Sequence, residues 1–152
     1  MIERVCALLD EAGISYRRTS HEPVYTSAEA AAVRGVSLHS GAKALVLKAG
    51  ERFLLAVLPA DRNLDSAALR TVLGTRKTRF ASKDELLEIT GLTPGAVPPF
   101  GSLFGLETVC DTGLAENESI NFNAGSHTES LQMSYRDWEQ VEAPRLATFG
   151  KP

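Results

Sequence analysis

Residues 41–58 read GAKALVLKAGERFLLAVL, and this stretch decides the fold. Two apolar runs, Ala42 to Leu47 and Phe53 to Leu58, are separated by Ala49-Gly50-Glu51. Each run is too short for an ordinary helix and is bounded by turn formers, which predicts two buried strands of a hairpin. Side chains alternate along a strand, so Lys43, Leu45 and Leu47 share one face, and Ala42, Ala44, Val46 and Lys48 share the other. Lys43 therefore stands at the entry to a buried strand with its stem along apolar surface. On pattern alone two readings stand. One is a lysine that snorkels its ammonium to water. The other is a cation fixed at the wall of a pocket, ready for a phosphate or a substrate carbonyl.

Working outward, Ile2, Val5, Leu8 and Leu9 recur at helical spacing, with Gly13 as a stop, and a short strand fits Ile14 to Thr19. Thr26-Ser27-Ala28-Glu29 has the form of a capping box opening an alanine-rich helix that ends near Gly35. After the hairpin, Asp65 caps a helix through Leu73 that Gly74 stops. Ser82-Lys83-Asp84-Glu85 forms a second capping box with Gly91 as its stop, and residues 92–105 form an ordered loop rich in Gly and Pro. Strands are expected near Glu107 to Cys110, Ser119 to Asn123 and Ser130 to Met133, and Ser134 caps a last helix containing Trp138 and Val141. No repeat or linker interrupts the chain. The expectation is one domain over residues 1–152, of mixed α/β class, with a partly antiparallel sheet and helices around it.

With 152 residues, 43% hydrophobic and 23% charged, the composition is that of an ordinary globular protein. A formal net charge of -3 argues against an extensive phosphate-gripping interface, and so against DNA, but leaves room for a local contact with one end of an RNA. Arg76, Lys77, Arg79 and Lys83 form the dense basic cluster; they are either a solvated face or contacts to an RNA backbone. No long apolar run and no basic segment leading into an apolar one is present, so no membrane partner is expected and a cytoplasmic location is. Cys6 and Cys110 lie far apart in apolar surroundings and read as buried thiols of a reducing compartment. A thiol enzyme built on Cys110 is a weaker alternative.

Walker, GxGxxG, HExxH, GxSxG and CxxC patterns are absent, and His21, His39 and His127 do not fall at zinc-ligand spacing, so neither cofactor nor metal is expected. Two loops remain as candidates. In the stretch from Gly91 to Gly101, prolines stiffen the backbone and glycines expose N–H groups that suit an oxyanion or phosphate, although a plain structural turn fits as well. The segment Asn123-Ala124-Gly125-Ser126-His127 either makes a hairpin turn or lines a pocket.

Together, HEPVYTSAEAA at 21–31, GAKALVLK at 41–48, LPADRNLD at 58–65, TGLTPGAVPPFG at 90–101 and NAGSHTESLQMS at 123–134 resemble, in order and spacing, the YbaK and prolyl-tRNA synthetase-associated editing domain family. The likeness spans roughly residues 14–142. It implies a compact domain with a curved, partly antiparallel, barrel-like sheet surrounded by helices. It also implies a free-standing deacylase that hydrolyses the ester of a mischarged tRNA, with Ala-tRNA(Pro) the first choice and Cys, Ser or Thr esters open. The partners implied are the tRNA acceptor end and a prolyl-tRNA synthetase.

The family's near-invariant lysine falls on Lys43, and its GxxxP loop on Gly95 and Pro99. The resemblance thus makes Lys43 an anchor for the terminal phosphate or ribose, with backbone N–H groups from Gly95 to Gly101 facing the developing oxyanion. The substrate's own ribose hydroxyl would orient the attacking water. Tyr25, Thr26, Ser27, Phe100, Gly101, Asn123, Gly125, Ser126 and His127 would border the amino-acid pocket, His127 being either a proton carrier or a surface hydrogen-bonding histidine. The alternative is a non-catalytic module of the same fold that binds an amino acid or a synthetase.

Overall fold

The computed structural model describes residues 1–23 and 26–152, and the backbone alone for Ser27 and Arg34. The central hairpin forms from β2 (Ala42–Ala49) and β3 (Arg52–Pro59), antiparallel in register from Ala42 opposite Pro59 to Ala49 opposite Arg52. Both faces are covered, which is why the apolar runs are continuous. Ala42, Val46, Leu55 and Val57 point into one core, and Leu47, Ala49, Leu54, Ala56 and Leu58 into a second. The first core holds α1 (Ile2–Glu11), the fully buried Trp138, and Phe100 set edge-on to Phe122. The second holds Leu69 and Phe149.

Around the hairpin, β5 (Thr78–Phe80) pairs with β2, while β6 (Glu107–Asp111) runs parallel to β3 and β9 (Arg145–Ala147) parallel to β6. The resulting five-stranded sheet has the order β5-β2-β3-β6-β9. An antiparallel sheet of β1 (Tyr16–Ser20), β8 (Glu129–Ser134) and β7 (Ser119–Asn123) joins it through a parallel bridge between Gly41 and Asn121. A short pair of β4 (Asn63–Leu64) and β10 (Gly150–Lys151) completes the strands of the described residues. The fold is thus mixed α/β with a barrel-like sheet that does not close.

Caps written into the sequence set the helix boundaries. Asp65 accepts the Ala68 N–H at the start of α3 (Ser66–Leu73), and Gly74 ends it in the left-handed region. At α4 (Lys83–Thr90) both halves of the capping box form between Ser82 and Glu85. Thr26 accepts the Glu29 N–H to open α2 (Ser27–Arg34), and Ser134 caps α5 (Tyr135–Glu142). No helix among the described residues is long and apolar enough to cross a membrane.

Candidate active site

The bridge between Gly41 and Asn121 brings the start of β2 against the middle of β7, and a cavity of about 220 Å³ opens beside it. Lys43 stands in its wall, half-buried. Burial pushes the Lys43 ammonium below its ordinary pKa, and the Asp61 carboxylate acts in the opposite direction. The turn containing Gly95 and Val97 lines the same cavity. This turn hangs from the β7–β8 connection: Asn123 Nδ2 donates to the Gly95 carbonyl at 2.7 Å, and the Gly125 N–H donates to the Ala96 carbonyl at 2.7 Å. Gly95 has φ +84°, and a Cβ there would sit 3.1 Å from His127 Cε1. The position needs glycine both for conformation and for space.

Small side chains contribute much of the wall, beside Leu38, Leu45, Val97 and Phe122. Ala30 and Ala31 of α2, Ala42 and Ala44 of β2, and Ala60 contribute methyl groups.

The predicted residues divide by position. Lys43, Thr26, Gly95, Asn123 and His127 meet around the one cavity. Tyr25 lies outside the described residues, as does the side chain of Ser27. Pro99, Phe100 and Gly101 stand behind the wall instead of on it. The Pro99 carbonyl accepts the Trp138 indole N–H at 2.9 Å, Phe100 is fully buried, and the Gly101 N–H is spent on Thr108 Oγ1 at 3.0 Å. Gly125 packs over Met1, and the Ser126 hydroxyl closes its own turn on Thr128, so neither lines the cavity.

The expected donor set also narrows. The Ala96 N–H goes to the Thr93 carbonyl and the Phe100 N–H to the Pro98 carbonyl. Prolines 98 and 99 have no N–H to offer. Gly95 and Val97 remain, and no hydrogen bond among the described residues takes their N–H groups.

Arg76, Lys77 and Arg79 gather with Lys48 at the opposite end of β2, about 16 Å along the strand from Lys43 at roughly 3.3 Å per residue. Arg79 is engaged there by both carboxylate oxygens of Glu85, and Lys83 opens α4 nearby. Cys110 is fully buried, and burial with Asp111 and Glu139 nearby raises its thiol pKa far above neutrality, which removes it as a nucleophile.

Asn121, Ala60 and the alanines of α2 were not singled out in the sequence. The run AEAAA carries a hint, since alanines on a helix beside a site leave room, but alanine is also the commonest helix former.

Fold and site together define a small α/β domain with a methyl-lined cavity held between a strand-entry lysine and a glycine turn. The family model for the aminoacyl-tRNA editing domain matches residues 21–141, and the chain belongs to that family. It is 35% identical to the multifunctional Ser/Thr-tRNA deacylase ProXp-y of Escherichia coli K12, over 97% of this chain and 91% of that protein. It is 31% identical to the prolyl-tRNA editing protein ProX of Acetoanaerobium sticklandii, over 97% of this chain and 93% of that protein. A crystal structure described as a candidate trans-editing enzyme for prolyl tRNA synthetase shares the fold, with a TM-score of 0.89 at 21% identity, covering 99% of this chain and 97% of that one.

Proposed function

We propose that the chain, acting as one domain over residues 1–152, is a free-standing aminoacyl-tRNA deacylase that removes a small, wrongly attached amino acid from the terminal adenosine of a tRNA. The observation that carries this reading is Lys43 and Gly95 lining the same small cavity. An aminoacyl ester is already activated, so positioning and oxyanion stabilisation suffice without a nucleophile triad. Lys43 grips the phosphate or ribose of the terminal nucleotide as a compact charge. The N–H groups of Gly95 and Val97 receive the carbonyl oxygen as it becomes an oxyanion, and the vicinal ribose hydroxyl orients water. Thr26, Asn123 and His127 border the amino-acid side chain.

The methyl wall favours Ala, Ser and Thr esters, with Ala-tRNA(Pro) the first to be tried and Cys next. A prolyl-tRNA synthetase is the proposed source of the substrate. Purified protein is expected to deacylate at least one of Ala-, Ser-, Thr- and Cys-charged tRNAs. Intact charge across the whole panel, with saturable tRNA or synthetase binding, would instead establish a binding module.

The basic end of the hairpin serves as a modest, salt-sensitive contact to the RNA backbone. The double replacement of Arg76 and Lys77 by Ala is expected to weaken tRNA binding several-fold and flatten its salt dependence while the fold is kept. Unchanged affinity would mark those residues as solvated surface.

Gly95→Ala tests the turn. A methyl forced into the left-handed region against His127 is expected to cost about 1 kcal/mol of stability and at least about tenfold in kcat/KM. Wild-type turnover in this variant would remove the turn from the mechanism.

A further inference from the structure

Two hydrogen bonds tie the glycine turn to the connection between β7 and β8. Asn123 Nδ2 donates to the Gly95 carbonyl at 2.7 Å, and the Gly125 N–H donates to the Ala96 carbonyl at 2.7 Å. No peptide bond among the described residues is cis, so each N–H points away from the carbonyl of its own plane. The bond from Gly125 therefore fixes the plane between Ala96 and Val97 and aims the Val97 N–H away from Gly125. The plane between Gly95 and Ala96 is held at both ends, since the Ala96 N–H goes to the Thr93 carbonyl at 3.1 Å. Val97 lines the cavity, and its N–H takes no partner among the described residues.

Gly125 is in turn held from behind. It stands at φ +101°, and a Cβ there would meet Met1 Cβ at 2.5 Å and Met1 Cγ at 2.9 Å. The Met1 carbonyl accepts the Arg4 and Val5 N–H groups at 3.0 and 3.2 Å, and so opens α1. That helix is anchored by Ile2, Val5 and Leu9 in the first core, against which Met1 also packs. Arg4 Nη2 donates to the Leu103 carbonyl at 2.9 Å, so the first turn of α1 grips the chain that leaves the glycine turn as well. The connection has no room to retreat past Met1.

We propose that Gly125, seated on Met1, is a positioning residue for deacylation: its N–H aims the Val97 N–H at the carbonyl oxygen of the ester, and Met1 sets where that N–H stands. Glycine is required for its φ and because any side chain would lift the connection off Met1. A lifted connection turns the plane between Ala96 and Val97, and the donor turns with it. Hydrogen bonds weaken steeply with misalignment, so the loss falls on the oxyanion and leaves the grip of Lys43 in place. The effect on turnover rests on the deacylase reading; the link from Met1 through Gly125 to Val97 does not.

The test compares wild type with Gly125→Ala and with Met1→Gly, the latter made with an extra initiator that is cleaved before glycine. In 15N-labelled protein the Val97 amide resonance is expected to move in both variants. On charged tRNA, kcat is expected to fall about tenfold in Gly125→Ala and about threefold in Met1→Gly, a fraction of the roughly 10²–10³-fold that a lost oxyanion donor costs. KM should stay within about twofold, as for a contact made only in the transition state. Leu9→Val, at the buried far end of α1, is the control: it should lower the urea midpoint and leave kcat and the Val97 resonance unmoved. Met1→Gly decides the matter should Gly125→Ala not fold. Wild-type kcat in the folded variant overturns the inference, and so does a loss of kcat that Leu9→Val reproduces. If wild-type protein deacylates no charged tRNA, the deacylase reading falls by itself; a displaced Val97 resonance then upholds the link, and an unmoved one removes it.

Discussion

Lys43→Ala is expected to lower kcat/KM for deacylation by about 10²–10³-fold, equivalent to about 2.7–4 kcal/mol of transition-state stabilisation. The ammonium stands in the wall of a partly enclosed cavity, where a charge contact is stronger than in water. Lys43 makes no salt bridge among the described residues and lies at the entry of its strand, so its loss should leave the fold intact. Circular dichroism and the urea midpoint check that point, and single-turnover assays on charged tRNA give the rate. The split between constants is informative: an anchor used equally in ground and transition states raises KM alone, whereas a contact made only in the transition state lowers kcat. Lys43→Arg is not expected to rescue, because a planar fork is broader than a compact ammonium and the wall of alanines gives it little room. A folded Lys43→Ala protein that retains wild-type kcat/KM ends the proposed mechanism.

The largest effect on stability is expected at Asp111, far from any chemistry. Its carboxylate is 3% exposed and collects three backbone donors. Oδ1 accepts from Phe149 at 2.8 Å and Gly150 at 2.7 Å, and Oδ2 from Gly113 at 2.9 Å. These bonds tie the C-terminal segment to the end of β6, and Phe149 then plugs the second core. The close approach explains two glycines: a Cβ at Gly113 or Gly150 would meet Asp111 Oδ2 at 2.8 Å or 3.0 Å. Asp111→Ala leaves buried N–H groups unpaired and should cost about 3–4 kcal/mol, read from urea unfolding. Asp111→Asn keeps one acceptor oxygen but turns an amide donor toward another N–H, and should fall between. A loss below about 1 kcal/mol in Asp111→Ala, within the range of one ordinary hydrogen bond, would mean that the C-terminal segment is held by packing alone.

Much of the fold was legible because its signals are local. The two apolar runs became β2 and β3, the capping boxes became the starts of α2 and α4, and Gly35, Gly74 and Gly91 ended helices in the left-handed region. Strand β5 was not legible: its three residues sit within the basic cluster and show no alternation. It forms because the edge of β2 offers unpaired backbone groups, and the same holds for β9 beside β6. The stretch from Leu92 to Gly105, expected as a loop, ends in a 3-10 turn over Gly101–Phe104, and only the packing of Trp138 and Thr108 against it shows which N–H groups are already spent.

What the sequence determined by itself was the hairpin, the capped helices and the placing of one lysine at a strand entry. It did so because strand alternation and helix capping depend on residues within a few positions of one another. Whether that lysine snorkels to bulk water or faces a cavity depended on Gly41 meeting Asn121, Asn123 holding Gly95, and Ala60 folding back onto Gly41. Those partners lie tens of residues apart in the chain, and only burial and hydrogen bonding across two sheets bring them within reach of one another.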